Sequence, residues 1–144
     1  MKPTESSLSI LLVGEYKKDR LLLHEISRRV GWRLFEVRDR RRAMEFLERH
    51  PVQVVVAERD VPNWGWKEVL GDLRRLENPP QLIVASHAPD EALWAEVLNI
   101  GGYDVLPQPL ERDEVERVIA SAWRHHEVGP RRATLGGKSA TAAG

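Results

Sequence analysis

The chain has no cysteine among its 144 residues, which removes disulfides, thiolate-ligated zinc, thioether haem attachment and thiol catalysis together. It also has no surplus of charge. Lys and Arg number 22 and Asp and Glu number 22, so the formal net charge is zero and offers no electrostatic footprint for nucleic acid or an anionic membrane. No apolar run approaches the ~20 residues that span a bilayer, and the opening Met1-Lys-Pro-Thr-Glu-Ser-Ser7 lacks the apolar stretch of a secretory leader, so a soluble cytoplasmic protein is expected. What is present is a length and a 42% hydrophobic content suited to one domain, which at this size buries roughly two thirds of its unfolded surface. Any chemistry must come from carboxylates, hydroxyls, amides or the five histidines.

Leu8-Ser-Ile-Leu-Leu-Val13 is too short for a buried helix, and its continuous rather than alternating apolar character suits a strand covered on both faces. Similar runs recur at Val52-Gln-Val-Val-Val-Ala57 and Gln81-Leu-Ile-Val-Ala-Ser86, with weaker ones at 32–37 and 103–106. Helical spacing separates them: Leu22, Ile26 and Val30; Ala43, Phe46 and Leu47; Val69, Leu70 and Leu73; Leu93, Val97 and Ile100; and Val115, Val118, Ile119 and Ala122. Asp39 is placed to cap the second helix, Asp90 starts the fourth, and Gly101-Gly102 stops it. Five strands alternating with five helices predict a doubly wound parallel sheet in a domain spanning 1–126. Residues 127–144 turn to Gly, Ala, Ser, Thr and basic residues, the composition of a flexible tail or truncated linker. The Gly136-Gly-Lys-Ser139 string there lacks the earlier glycine of a phosphate loop.

Ligands of such sheets bind beyond the carboxyl ends of the strands. The residues there are Gly14 and Glu15 after the first strand, Glu58, Arg59 and Asp60 after the third, Ser86 and His87 after the fourth, and Pro107 and Gln108 after the fifth. Together they form a small acidic cluster facing a hydroxyl and an amide. Trp64 and Trp66 follow the third strand, where they would cover the pocket or meet a partner; Trp94 and Trp123 lie at the margins of the last two helices' apolar stripes. His24 and the His125-His126 pair have no metal-ligand spacing and are expected on solvated helix faces, as are the basic residues of 38–42.

Three segments in order, Leu11-Leu-Val-Gly-Glu-Tyr-Lys-Lys-Asp-Arg20, Val54-Val-Val-Ala-Glu-Arg-Asp-Val-Pro62 and Gly101-Gly-Tyr-Asp-Val-Leu-Pro-Gln-Pro109, resemble the receiver domains of two-component response regulators over roughly residues 8 to 125. The resemblance implies a flavodoxin-like fold and a signalling module rather than an enzyme. It places the family's phosphorylated aspartate on Glu58, its lysine on Gln108, its two metal-holding acids on Gly14 and Glu15, its hydroxyl on Ser86 and its aromatic switch position on Val105. It also implies an interaction surface of Trp94, Val105 and Trp123. The partner there would be a sensor kinase, an output protein or a second copy docked through the fourth helix, fifth strand and fifth helix.

The departures fall on the working positions. An acyl phosphate forms by in-line attack of a carboxylate while a metal and a cation neutralise the equatorial oxygens. The extra methylene of Glu58 displaces that nucleophile by about 1.5 Å, a scale that costs on the order of 100-fold. Gln108 removes a positive charge, and Gly14 leaves Mg2+ to Glu15, Glu58, backbone and water, a weak site at best. The expectation is a degenerate receiver that works without phosphorylation, with Glu58 either a fixed mimic of the phosphorylated state or a solvated carboxylate. Two alternatives stand beside it: a working phospho-acceptor on Glu58 or Asp60, and a small anion- or nucleotide-binding protein.

Overall fold

The computed structural model describes residues 8–143, with side chains described through Val128. A parallel five-stranded sheet runs in the order β2 (Arg33–Val37), β1 (Ser9–Val13), β3 (Val54–Glu58), β6 (Gln81–Ser86), β7 (Asp104–Pro107). Helices α1 (Arg20–Val30), α2 (Arg40–Arg49), α3 (Trp66–Arg74), α4 (Glu91–Ile100) and α5 (Arg112–Ala143) connect or follow these strands. This is the doubly wound architecture that the alternating runs predict.

Alternate strand residues enter two separate cores. Ile10, Leu12, Val54, Val56, Ile83 and Ala85 pack with α1 and α5 through Leu23, Ile26, Val115, Val118 and Ile119. On the other face, Leu11, Val13, Val55, Ala57, Leu82 and Val84 pack with α2, α3 and α4 through Ala43, Val69, Leu73, Leu93 and Val97. The central strands therefore read as continuous apolar runs because each face has its own cover. Each such buried Val, Leu or Ile contributes about 1.5–3 kcal/mol relative to its exposed state.

The helix ends follow local chemistry. Asp39 and Asp90 each accept a backbone N–H, from Arg42 at 2.9 Å and Leu93 at 2.8 Å, so both act as N-caps. Gly101 closes α4 in the left-handed conformation at φ 112°. The Arg74 guanidinium reaches the Ile100 carbonyl there and ties α3 to the end of α4. Ile100 itself, read as part of the apolar stripe, is exposed.

Several expectations need correction. A small hairpin of β4 (Asp60–Val61) and β5 (Trp64–Gly65) follows β3, with Asn63 at φ 61° in its turn. It carries Trp64 and Trp66 into the core, at 2% and 6% exposure, so neither covers the pocket. The Trp64 indole N–H is satisfied there, donating to Asp72 Oδ2 at 2.7 Å. His126 is buried as well, whereas His24 meets Glu36 at the surface.

Candidate functional site

Strand order reverses between β1 and β3, because the chain leaves β1 to one side for β2 and returns to the other for β3. The crevice beyond their carboxyl ends is the place where such sheets bind ligands. Two adjoining cavities lie there, of about 230 and 340 Å³, and Glu58 and Gln108 line both. A larger cavity of about 490 Å³, lined by His50, Gln53 and Arg75 among others, sits at the opposite end of the strands and holds none of these residues.

Glu58, the last residue of β3, does not point outward. Its Oε1 accepts the Glu15 N–H at 3.0 Å, and its Oε2 accepts the Tyr16 N–H at 3.2 Å with the Gln108 side-chain amide at 3.4 Å. Gly14 makes room for this arrangement. It sits at φ 131°, and a Cβ there would lie 2.4 Å from Glu58 Oε1. The glycine in place of an acid and the longer acid at 58 are thus one fitted pair, a relation that the sequence alone does not reveal.

Asp19 is the site residue that sequence reasoning missed. It is 3% exposed, and it accepts the Gln108 amide at 3.1 Å on Oδ2 and the Leu110 N–H at 2.9 Å on Oδ1. The available signal was its place just before α1, where an aspartate would ordinarily cap the helix; here its side chain makes no cap and turns inward instead. Tyr16 lies between the two acids, fully buried, donating its hydroxyl to the Val56 carbonyl at 2.9 Å. Burial, then the charges of Glu58 and Asp19, push that phenol well above its ordinary pKa.

The remaining expected residues separate. Glu15 contributes its backbone N–H, while its carboxylate turns out toward Lys17 at 3.5 Å. Asp60 is exposed on the hairpin and lines only the outer cavity, so the acids of the inner pocket are Glu15, Asp19 and Glu58 rather than Glu15, Glu58 and Asp60. Ser86 is 4% exposed, and its Oγ accepts the Ala88 N–H at 3.2 Å, a strand-end bond within its own loop. Gln108 is buried and spans the site, its backbone N–H donating to the Ser86 carbonyl at 2.8 Å.

Trp94 and Trp123 are half-buried on either side of β7, and the Trp94 indole donates to Asp104 at 3.3 Å. Val105 is different. It is 1% exposed and packs into the α2–α3–α4 core, so its assignment to the interaction surface is corrected. The register that pairs it with Val84 turns its side chain inward.

A divalent cation does not fit this pocket. Hard cations need several converging oxygens, but the Glu58 oxygens receive backbone N–H groups, those of Asp19 are engaged by Gln108 and Leu110, and Glu15 points away. Among the described residues, no three acidic, histidine or cysteine side chains gather to hold a metal. The carboxylates of Glu15 and Glu58 therefore do not converge as a pair of metal ligands.

No family model matches the chain, and no curated protein matches its sequence with significance. Solved structures match it closely in shape. The signal receiver domain of an HD domain-containing protein from Pseudomonas fluorescens Pf-5 has a TM-score of 0.73 at 22% identity, covering 84% of this chain and 98% of that one. The signal receiver domain of a Luxo repressor protein from Vibrio parahaemolyticus has a TM-score of 0.75 at 20% identity, over 86% of this chain and 95% of that one. The receiver domain of the Saccharomyces cerevisiae response regulator Ssk1, solved together with the histidine phosphotransfer protein Ypd1, has a TM-score of 0.71 at 12% identity, over 83% and 90%. These likenesses establish the flavodoxin-like fold shared by receiver domains. Among the described residues no helix is long and apolar enough to cross a membrane.

Proposed function

We propose that this chain is a receiver-like signalling module of a two-component pathway that works by protein contact without being phosphorylated. It would act in the cytoplasm and catalyse no reaction of its own. The observation that carries this reading is the placement of Glu58. The carboxylate at the acceptor position is held by the Glu15 and Tyr16 amides, and the neighbouring position 108 offers an amide instead of a cation. Attack on a phosphoryl donor would require the carboxylate to give up those bonds, with no cation on Gln108 to neutralise the transferred group.

The same placement speaks against Glu58 as a mimic of the phosphorylated state. Its charge is turned toward the loop after β1, while Ser86 is engaged with Ala88. State would then be set by what binds the domain. The half-buried Trp94 and Trp123 flanking β7 are the side chains of a kind that carries binding energy at interfaces, and they are offered to a protein partner or a second copy. The pairing of a similar receiver domain with a phosphotransfer protein supports a partner of that class.

Incubation with acetyl phosphate and Mg2+, followed by intact-mass measurement, tests the proposal. The expected mass is unchanged. A stable gain of one phosphoryl group that is lost in Glu58→Gln or Asp60→Asn would overturn it and identify the acceptor.

A further inference from the structure

The inner pocket is built around an anion. Two consecutive backbone N–H groups, of Glu15 and Tyr16, converge on the two oxygens of one carboxylate at 3.0 and 3.2 Å, and the Gln108 amide adds a third donor at 3.4 Å. The backbone is bent to permit this, with Gly14 at φ 131° and Tyr16 at φ 50°. Successive N–H groups turned into one concavity by such a bend form an anion-binding nest. Lys17, Lys18 and His87 line the same cavity of about 230 Å³, together with the acids Glu15 and Asp19. The donors that meet Glu58 are suited to negative charge, and Gln108 shares its amide between Glu58 and Asp19 at 3.4 and 3.1 Å.

We propose that this pocket is an anion cradle whose ligand class is a small carboxylate, and that Glu58 is its built-in occupant. The proposal shares its Glu58 contacts with the signalling reading but does not need the chain to be a signalling module. Gly14 is the positioning residue, since any side chain there would occupy the space of Glu58 Oε1. Removing the Glu58 side chain would leave two amides without their acceptor around a cavity large enough for acetate, the fragment closest to what was removed. The cradle then becomes a site for an exogenous ligand.

The test compares wild type with Glu58→Ala in sodium acetate and in sodium chloride at matched ionic strength. In chloride the variant is expected to unfold roughly 4–8 °C lower, the loss of hydrogen bonds to a charged acceptor. Acetate should restore much of that loss with a saturable dose dependence, and should give the wild type no gain over chloride. In amide NMR spectra acetate should move the Glu15 and Tyr16 resonances of the variant and leave those of wild type in place. Equal stability of the variant in both salts, with both amides unmoved, overturns the cradle, as does a saturable Mg2+ shift of those amides in wild type. Should Glu58→Ala fail to fold, Glu58→Gln carries the test: it presents an NH2 group to one of the amides, so the Glu15 or the Tyr16 amide proton moves upfield, and no movement in either refutes the proposal. A chain that fails here and still takes no phosphoryl group leaves the signalling reading intact.

Discussion

Replacing Gly14 with alanine should destabilise the chain through two separable effects. The first is local: at φ 131° an L side chain is strained whatever surrounds it, at about 1–3 kcal/mol. The second is a collision. The new Cβ would lie 2.4 Å from Glu58 Oε1 and 2.9 Å from both Cδ and Cγ. Those atoms belong to a flexible side chain, so the carboxylate can swing away, at the expense of its bonds from the Glu15 and Tyr16 amides. Hydrogen bonds to a charged group contribute about 1.5–3 kcal/mol, and the lower end applies because Glu58 is partly exposed and water can replace part of the loss. The single variant should thus lose about 2–5 kcal/mol. In a Glu58→Ala background only the backbone strain remains, so the two substitutions together should cost about 1–2 kcal/mol less than the sum of each alone. Urea denaturation of the four proteins, followed by circular dichroism, measures the cycle. Additivity within about 0.5 kcal/mol would refute the claim that positions 14 and 58 share one space.

Asp72 joins Arg40, Trp64 and Arg75 across α2 and α3, at 2.8, 2.7 and 3.3 Å. Asp72→Ala leaves the buried Trp64 indole N–H without an acceptor, and should lower stability by about 1–3 kcal/mol in urea denaturation. The hydrogen bond from Arg40, then that from Trp64, holds the Asp72 carboxyl below the usual carboxylate range against the opposing effect of burial. The unfolded chain therefore takes up this proton first as pH falls. The stabilisation is complete above about pH 5 and is lost as pH drops through the folded-state value, so Asp72→Asn should flatten the acid limb of the stability profile. Tyr16→Phe removes the hydrogen bond to the Val56 carbonyl, for a loss of about 0.5–1.5 kcal/mol. Burial foremost raises the Tyr16 phenol, so its contribution is full below about pH 10 and declines above it, a decline that the variant should lack when unfolding is followed through alkaline pH.

The sheet is readable in the chain because β1, β3 and β6 are covered on both faces, and each carries four consecutive apolar residues, a run with few other uses. The caps at Asp39, Asp90 and Gly101 are equally readable, since each is decided within a few residues. What escaped depends on partners distant in sequence. Trp64 and Trp66 look like loop aromatics until a hairpin of two-residue strands brings the first onto Asp72. Val105 looks like a surface position until pairing with Val84 fixes the side it faces. Composition identifies Glu58 as a strand-end acid, but its inward turn depends on the missing Cβ of a glycine 44 residues earlier. Asp19 was hidden by an ordinary local role, helix capping, that its side chain does not perform.

In a sheet that is apolar on both sides polarity alone does not mark the register, because a strand shifted by one residue still meets apolar neighbours above and below, and close packing and polar contacts at the strand ends must set it. In this chain the alignment of β1 with β3 is keyed at its two ends. At the start the Ser9 N–H donates to the Gln53 side chain at 2.7 Å, and at the finish the Glu58 carboxylate receives the amides beyond β1. Between these keys the paired residues, Ile10 with Val54 through Val13 with Ala57, carry no polar marker of their own. Glu58 thus fixes the end of β1 against the end of β3 as well as lining the pocket.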